Sequence, residues 1–138
     1  MVGILLMTHA PLSAAFLAAV THVYRRVPEH VRALDVMPDQ DPYEVNELAA
    51  EALFEIDTGQ GVLILTDICG ATPSNCAQRL VAMNSETRLI YGANLPMLLR
   101  ALTYRDLPLD EVAHKVVEGG KNGVMLYQDE SPCERKDI

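Results

Sequence analysis

The sequence is poor in several features that would define a class of protein. It has no tryptophan, two phenylalanines and five tyrosines, so it offers few rings on which bases or sugars could stack. No apolar run approaches the ~20 residues of a membrane-spanning helix. The short apolar start at residues 2–7 leads into a histidine instead of a signal-peptide cleavage site. These absences predict a soluble protein with an aliphatic core and no insertion into a membrane.

Basic residues are also scarce. Eleven lysines and arginines stand against 19 acidic residues, and the net charge of −8 repels phosphate backbones, so we expect no nucleic-acid partner. The three cysteines, Cys69, Cys76 and Cys133, include no CxxC pair and are odd in number, which favours a reducing cytoplasm over a disulfide scaffold. No second ligand stands at metal-binding spacing from His9, and no dinucleotide or P-loop motif occurs, so we expect no metal and no cofactor.

The chain length of 138 residues suits one domain, in which short apolar runs alternate with helical patterns. This alternation predicts an α/β fold, a single doubly wound domain around a four-stranded parallel sheet. The predicted strands are residues 2–7, 31–36, 62–65 and 88–91, with a short final strand at 124–127. The predicted helices are residues 12–26, 41–56, 72–83, 94–104 and 109–118. We place the domain at residues 1–128 and a mobile polar tail at residues 129–138.

Two helix ends carry local signals. Thr72 followed by Pro73 predicts an N-cap and a first helical position for the third helix. The pair Gly119-Gly120 predicts the C-cap of the last helix.

The ends of two predicted strands carry candidate chemistry. His9 follows the first strand and Asp67 follows the third, and the carboxyl ends of parallel strands meet at one sheet edge. A carboxylate beside a histidine fixes the ring tautomer and leaves the other nitrogen free to act as a nucleophile. The loop at residues 70–74 and the following helix would offer backbone N–H groups to a phosphoryl group, with the Thr72 hydroxyl as a further donor.

Other interpretations of these residues stay open. His9 could be a surface histidine, and Asp67 could cap its own loop. The fold could serve a small-ligand or nucleotide-binding module without covalent chemistry. Cys69 could be the nucleophile of a hydrolase assisted by His9, or a packed structural residue. Three further histidines are predicted to be solvent-exposed and away from the sheet edge: His22, His30 and His114.

Four segments in this order and spacing carry a family resemblance: Thr8-His9-Ala10, residues 34–39, residues 66–75 and residues 92–98. Together they resemble the enzyme IIA component of the mannose family of the bacterial phosphoenolpyruvate:sugar phosphotransferase system. The resemblance covers residues 2–127, nearly the whole chain.

The resemblance implies roles for individual residues. His9 would be phosphorylated by the phosphocarrier HPr and would pass the phosphoryl group to a separate enzyme IIB, in sugar uptake or in regulation. Asp67 would hydrogen-bond His9, and Thr72 would stand where the family has a serine in the phosphoryl pocket. The backbone around three further residues would complete the wall of that pocket: Gly70, Ala71 and Asn75.

The resemblance also implies a homodimer in which the last strand, residues 124–127, becomes an antiparallel edge strand of the neighbouring sheet. Besides Thr72, three further positions depart from the family pattern. Ala10 and Ala71 replace glycines, and Ser74 replaces a bulky apolar residue that could form partner surface.

Overall fold

The computed structural model describes residues 1–128, and the predicted tail at residues 129–138 lies outside them. Strands and helices alternate along the described chain until two helices follow each other at its end, as the sequence predicts. The strands are β1 (Gly3–His9), β2 (Val31–Val36), β3 (Val62–Thr66) and β4 (Thr87–Ile90). The helices are α1 (Leu12–Tyr24), α2 (Pro42–Ile56), α3 (Thr72–Met83), α4 (Leu95–Tyr104) and α5 (Leu109–Asn122).

The four strands form one parallel sheet in the order β2-β1-β3-β4. From β1 the chain moves to one side to make β2, then crosses back to add β3 on the other side. The strand order therefore reverses between β1 and β3, and the crevice at the carboxyl ends of such a pair is where doubly wound sheets bind ligands. His9 ends β1 at this crevice.

Both faces of the sheet are buried. Ile4 and Leu6 of β1 point into a core shared with α1, α4 and α5. Leu5 and Met7 point into a second core shared with α2 and α3. Burial on both faces explains why β1 and β3 are apolar without alternation. The predicted α/β class and four-stranded parallel sheet are confirmed.

The start of α3 differs from the prediction. Ala71, not Thr72, is the N-cap, and Thr72 is the first helical residue. The cap comes from within the first turn, because the Ser74 hydroxyl accepts from the Ala71 N–H at 3.1 Å and donates to the Ala71 carbonyl at 2.9 Å. Ser74 is fully buried. In this chain Ser74 therefore holds the helix start and presents no surface to a partner.

The end of α5 also differs. The prediction that Gly119-Gly120 caps the helix is wrong, because α5 continues through both glycines to Asn122. Both are buried, and a Cβ on Gly120 would overlap the Met97 side chain of α4. The glycines allow α4 and α5 to pack closely, which is a tertiary requirement and not a local stop signal.

Residues 124–128 form no strand in the single chain. The predicted final strand would need the sheet edge of a second copy, so strand exchange stays a prediction. Within residues 1–128, no helix combines the length and the apolarity that crossing a bilayer requires.

Candidate functional site

The crevice between β1 and β3 holds a histidine and a carboxylate in direct contact. Nδ1 of His9 lies 2.8 Å from Oδ2 of Asp67, and the His9 backbone N–H donates to the same oxygen at 3.1 Å. The His9 side chain is 48% exposed, whereas the Asp67 side chain is 13% exposed. The ring is thus reachable from solvent while its partner is mostly covered.

The Asp67 carboxylate is satisfied on both oxygens. Oδ1 accepts from the Ile68 N–H at 3.0 Å and from the Thr66 hydroxyl at 3.4 Å. Burial alone would raise the pKa of Asp67, but hydrogen bonds from His9 and the Ile68 N–H outweigh it, so the pKa lies below its ordinary value. Asp67 is therefore a carboxylate at neutral pH and acts only as an acceptor.

This arrangement decides the histidine tautomer. Because a carboxylate cannot donate, the hydrogen on the His9–Asp67 bond belongs to Nδ1 of the ring. In the neutral imidazole the lone pair then resides on Nε2. The site therefore presents an oriented nitrogen lone pair at the crevice.

A cleft of about 420 Å³ opens beside His9. Thr72 at the start of α3 lines it together with His9 and Ala10. The end of β2 and the segment after it complete the lining: residues 36–40. The predicted residues His9 and Thr72 therefore line the same cleft.

The remaining predicted pocket residues lie in the loop and first turn of α3 and do not line the cleft. The Ala71 N–H is bound to Ser74, and the Asn75 N–H donates to the Ala71 carbonyl at 2.9 Å. Gly70 is exposed and has a φ of +86°, a left-handed conformation that favours glycine. This conformation turns the chain between Asp67 and α3.

Sequence reasoning missed Asp35, the last but one residue of β2, which pairs with Thr8 in the β1–β2 register. Its carboxylate accepts from the N–H groups of Ser13 and Ala14, at 2.8 and 3.2 Å, in the first turn of α1. Two signals were present in the sequence: an aspartate near the carboxyl end of an apolar strand, and a helix start at Pro11 that has no capping side chain.

The two described cysteines and the other histidines are not part of this site. Cys69 is exposed and Cys76 is buried, and among residues 1–128 no hydrogen bond joins the Cys69 thiol to His9. The described residues contain no group of three His, Cys, Asp or Glu that could hold a metal ion. The three other histidines are exposed, as predicted: His22, His30 and His114.

The fold and the site define a class of protein: a doubly wound domain with a His–carboxylate pair where the strand order reverses. Comparison with known families agrees with this class. The family model EIIA-man, described as the PTS system fructose IIA component, matches residues 3–117. The chain therefore belongs to the mannose-type enzyme IIA family of the phosphotransferase system, and the resemblance seen in the sequence is confirmed.

Relatives agree with this assignment. The PTS system mannose-specific EIIAB component of Escherichia coli K12 is 36% identical over 98 residues, which are 70% of this chain and 30% of that protein. The chain thus matches less than a third of the E. coli relative's length. The PTS system sorbose-specific EIIA component of Lacticaseibacillus casei is 31% identical over 96 residues, 70% of this chain and 68% of the relative.

Solved structures share the fold. The mannose/sorbose-specific IIA subunit from Enterococcus faecalis superimposes with a TM-score of 0.83 at 20% identity, covering 96% of this chain and 98% of that one. The component EIIA from Streptococcus agalactiae gives 0.82 at 21% identity, covering 91% and 96%.

The lowered pKa of Asp67 predicts a pH-dependent contribution to stability. The unfolded carboxyl titrates near 3.8 and the folded one below it, so the stabilisation is complete above 3.8 and is lost as pH falls through the folded pKa. The free-energy advantage of the wild type over Asp67→Asn should therefore shrink in acid. Urea unfolding of both proteins from about pH 7 to about pH 2 measures it. An advantage that stays constant over this range would contradict the account.

Proposed function

We propose that this protein is a phosphoryl carrier in which His9 accepts a phosphoryl group from HPr and passes it to a separate enzyme IIB. The observation that carries the proposal is the 2.8 Å hydrogen bond between His9 Nδ1 and Asp67. Family membership supports phosphotransfer within a sugar phosphotransferase system. The output is sugar uptake or phosphorylation-dependent regulation, according to the acceptor.

The phosphoryl transfer needs only His9 and Asp67 of this protein. The Nε2 lone pair of His9 attacks phosphorus, and the bond from phosphorus to the leaving atom of the carrier breaks, returning its electron pair to the carrier. The Nδ1 proton stays on the ring, donated to Asp67. The carboxylate stabilises the positive charge that develops on the imidazole, and the reverse steps deliver the phosphoryl group to the acceptor.

The surroundings of His9 suit a phosphoryl group that one protein partner delivers and another removes. The Thr72 hydroxyl lines the same cleft and is a donor for a phosphoryl oxygen. The N-terminal end of α3 adds a favourable dipole. A half-exposed ring lets one partner and then the other cover the site in turn. Because HPr works in the cytoplasm, the proposal places the protein there.

We further propose a homodimer formed by exchange of residues 124–127. Four consecutive apolar side chains are exposed in the single chain: Val124 (78%), Met125 (52%), Leu126 (85%) and Tyr127 (81%). Exposure of four apolar side chains to water is unfavourable. As a strand, this run would point its side chains alternately to the two faces of a sheet. Strand β4 ends the sheet and offers unpaired backbone groups along its outer side.

Phosphorylation of His9 is the direct expectation. Incubation with labelled phosphoenolpyruvate, enzyme I and HPr should label the wild type with an acid-labile, base-stable phosphate. His9→Ala should take up no label, because it lacks the accepting nitrogen. Asp67→Asn should be labelled more slowly, by up to about 10⁴-fold, because the amide can hold the wrong tautomer.

Cys69→Ala is the matched control for that labelling, since it changes another potential nucleophile in the same loop. It should be labelled as the wild type is. An unlabelled wild type would refute the proposal, and label that survives in His9→Ala but vanishes in Cys69→Ala would favour thiol chemistry instead.

Strand exchange is tested by the mass of the particle in solution. The wild type should sediment as a dimer at micromolar concentration, and Leu126→Glu should shift it toward the monomer, because the charge would enter the exchanged strand. Val27→Glu, at another exposed aliphatic position (65%), is the control and should stay dimeric. A monomeric wild type would contradict the exchange.

A further inference from the structure

We propose that Asp35 is a positioning residue that holds His9 against Asp67 through the first turn of α1. This inference rests on the proposed phosphoryl transfer at His9. It concerns a carboxylate that does not line the cleft and touches no reacting atom. Its evidence is a continuous set of hydrogen bonds from β2 to the residues on either side of His9.

Helix α1 begins without a cap of its own. Its N-cap residue is Pro11, which has no side-chain acceptor for the first N–H groups. The neighbouring strand supplies one instead. Oδ1 of Asp35 accepts from the Ser13 N–H at 2.8 Å, and Oδ2 accepts from the Ala14 N–H at 3.2 Å. The start of α1 is therefore fixed to β2.

A buried pair of hydroxyls extends this connection to β1. Oγ of Ser13 lies 3.1 Å from the Leu34 carbonyl of β2 and 2.6 Å from Oγ1 of Thr8, so a hydrogen bond joins the two hydroxyls. Thr8 and Ser13 are both fully buried. Thr8 also pairs with Asp35 in the β1–β2 register. The residue before His9 and the helix after it are thus held by one network.

His9 lies between this network and Asp67. On the β2 side, the Ala10 N–H donates to the Val36 carbonyl at 3.0 Å. On the β3 side, His9 bonds to Asp67 through its backbone and its ring. Only residues 10–12 separate His9 from Ser13, so a shift in the start of α1 is transmitted to the ring. A displacement of about 1 Å is enough to slow a positioned reaction by up to about 10²-fold.

The Asp35 carboxylate has a second effect on the site. The N-terminus of a helix attracts anions through its free N–H groups and its dipole. In α1, two of those N–H groups are already bound to Asp35 and its charge offsets the dipole. The start of α1 therefore does not compete for phosphoryl oxygens, which leaves the Thr72 side of the cleft to bind them.

Asp35→Ala and Asp35→Asn test the proposal beside Asp41→Ala as a matched control. Asp41 caps α2 in the same way, accepting from the Tyr43 N–H at 3.0 Å, so both alanine variants remove a carboxylate from a helix start. Three quantities are compared: the initial rate of His9 labelling from phosphorylated HPr, the ¹⁵N spectrum of the His9 ring, and the midpoint of thermal unfolding.

Asp35→Ala should be labelled about tenfold more slowly, and its ring nitrogens should show a mixture of tautomers in place of the Nδ1–H form. Asp35→Asn keeps one acceptor oxygen and should fall between Asp35→Ala and the wild type; it is the variant for comparison if Asp35→Ala does not fold. Asp41→Ala should keep the wild-type labelling rate and ring spectrum, even if its unfolding midpoint falls as much as that of Asp35→Ala.

Wild-type rates and ring spectra in the Asp35 variants would overturn the positioning role. So would equal losses in Asp41→Ala, because that result would indicate a general effect of stability. An unlabelled wild type would instead refute phosphoryl transfer. The ring spectra of the unphosphorylated proteins would still decide whether Asp35 holds His9.

Discussion

The site depends on one carboxylate oxygen, Oδ2 of Asp67, which accepts both the ring and the backbone N–H of His9. The backbone bond fixes where the residue stands, and the ring bond fixes which nitrogen carries the proton. Two parallel strands on either side of the strand-order reversal are needed to bring these groups together, because His9 and Asp67 are 58 residues apart in the chain. The doubly wound sheet supplies that meeting point.

Much of this architecture could be predicted because its causes are local or follow from topology. Because β1 is buried on both faces, its sequence is an unbroken apolar run. The start of α2 is marked in the sequence by an N-cap, Asp41, followed by Pro42. The meeting of His9 and Asp67 needs only the rule that parallel strands end at one edge of the sheet. Thr72 beside His9 follows from the same rule.

The remaining features depend on neighbours that are distant in sequence. Ser74 caps α3 from within its first turn, although the local pattern favours Thr72. Gly119-Gly120 carries a C-cap signal, but the packing of Met97 against Gly120 accounts for the pair inside a longer helix. Asp35 caps α1 by accepting from the N–H of Ser13, 22 residues earlier in the chain, a contact visible only once β2 is placed beside β1.

The central claim is that Asp67 keeps the Nδ1 proton in place and makes Nε2 of His9 the nitrogen that carries phosphate. The most direct test is the position of the phosphorus–nitrogen bond in the phosphorylated protein, read from ³¹P–¹⁵N couplings in protein labelled at histidine nitrogen. The account predicts a single phosphohistidine, at His9, bonded through Nε2, with the Nδ1 proton retained. Phosphate on Nδ1, or on a different residue, would contradict it.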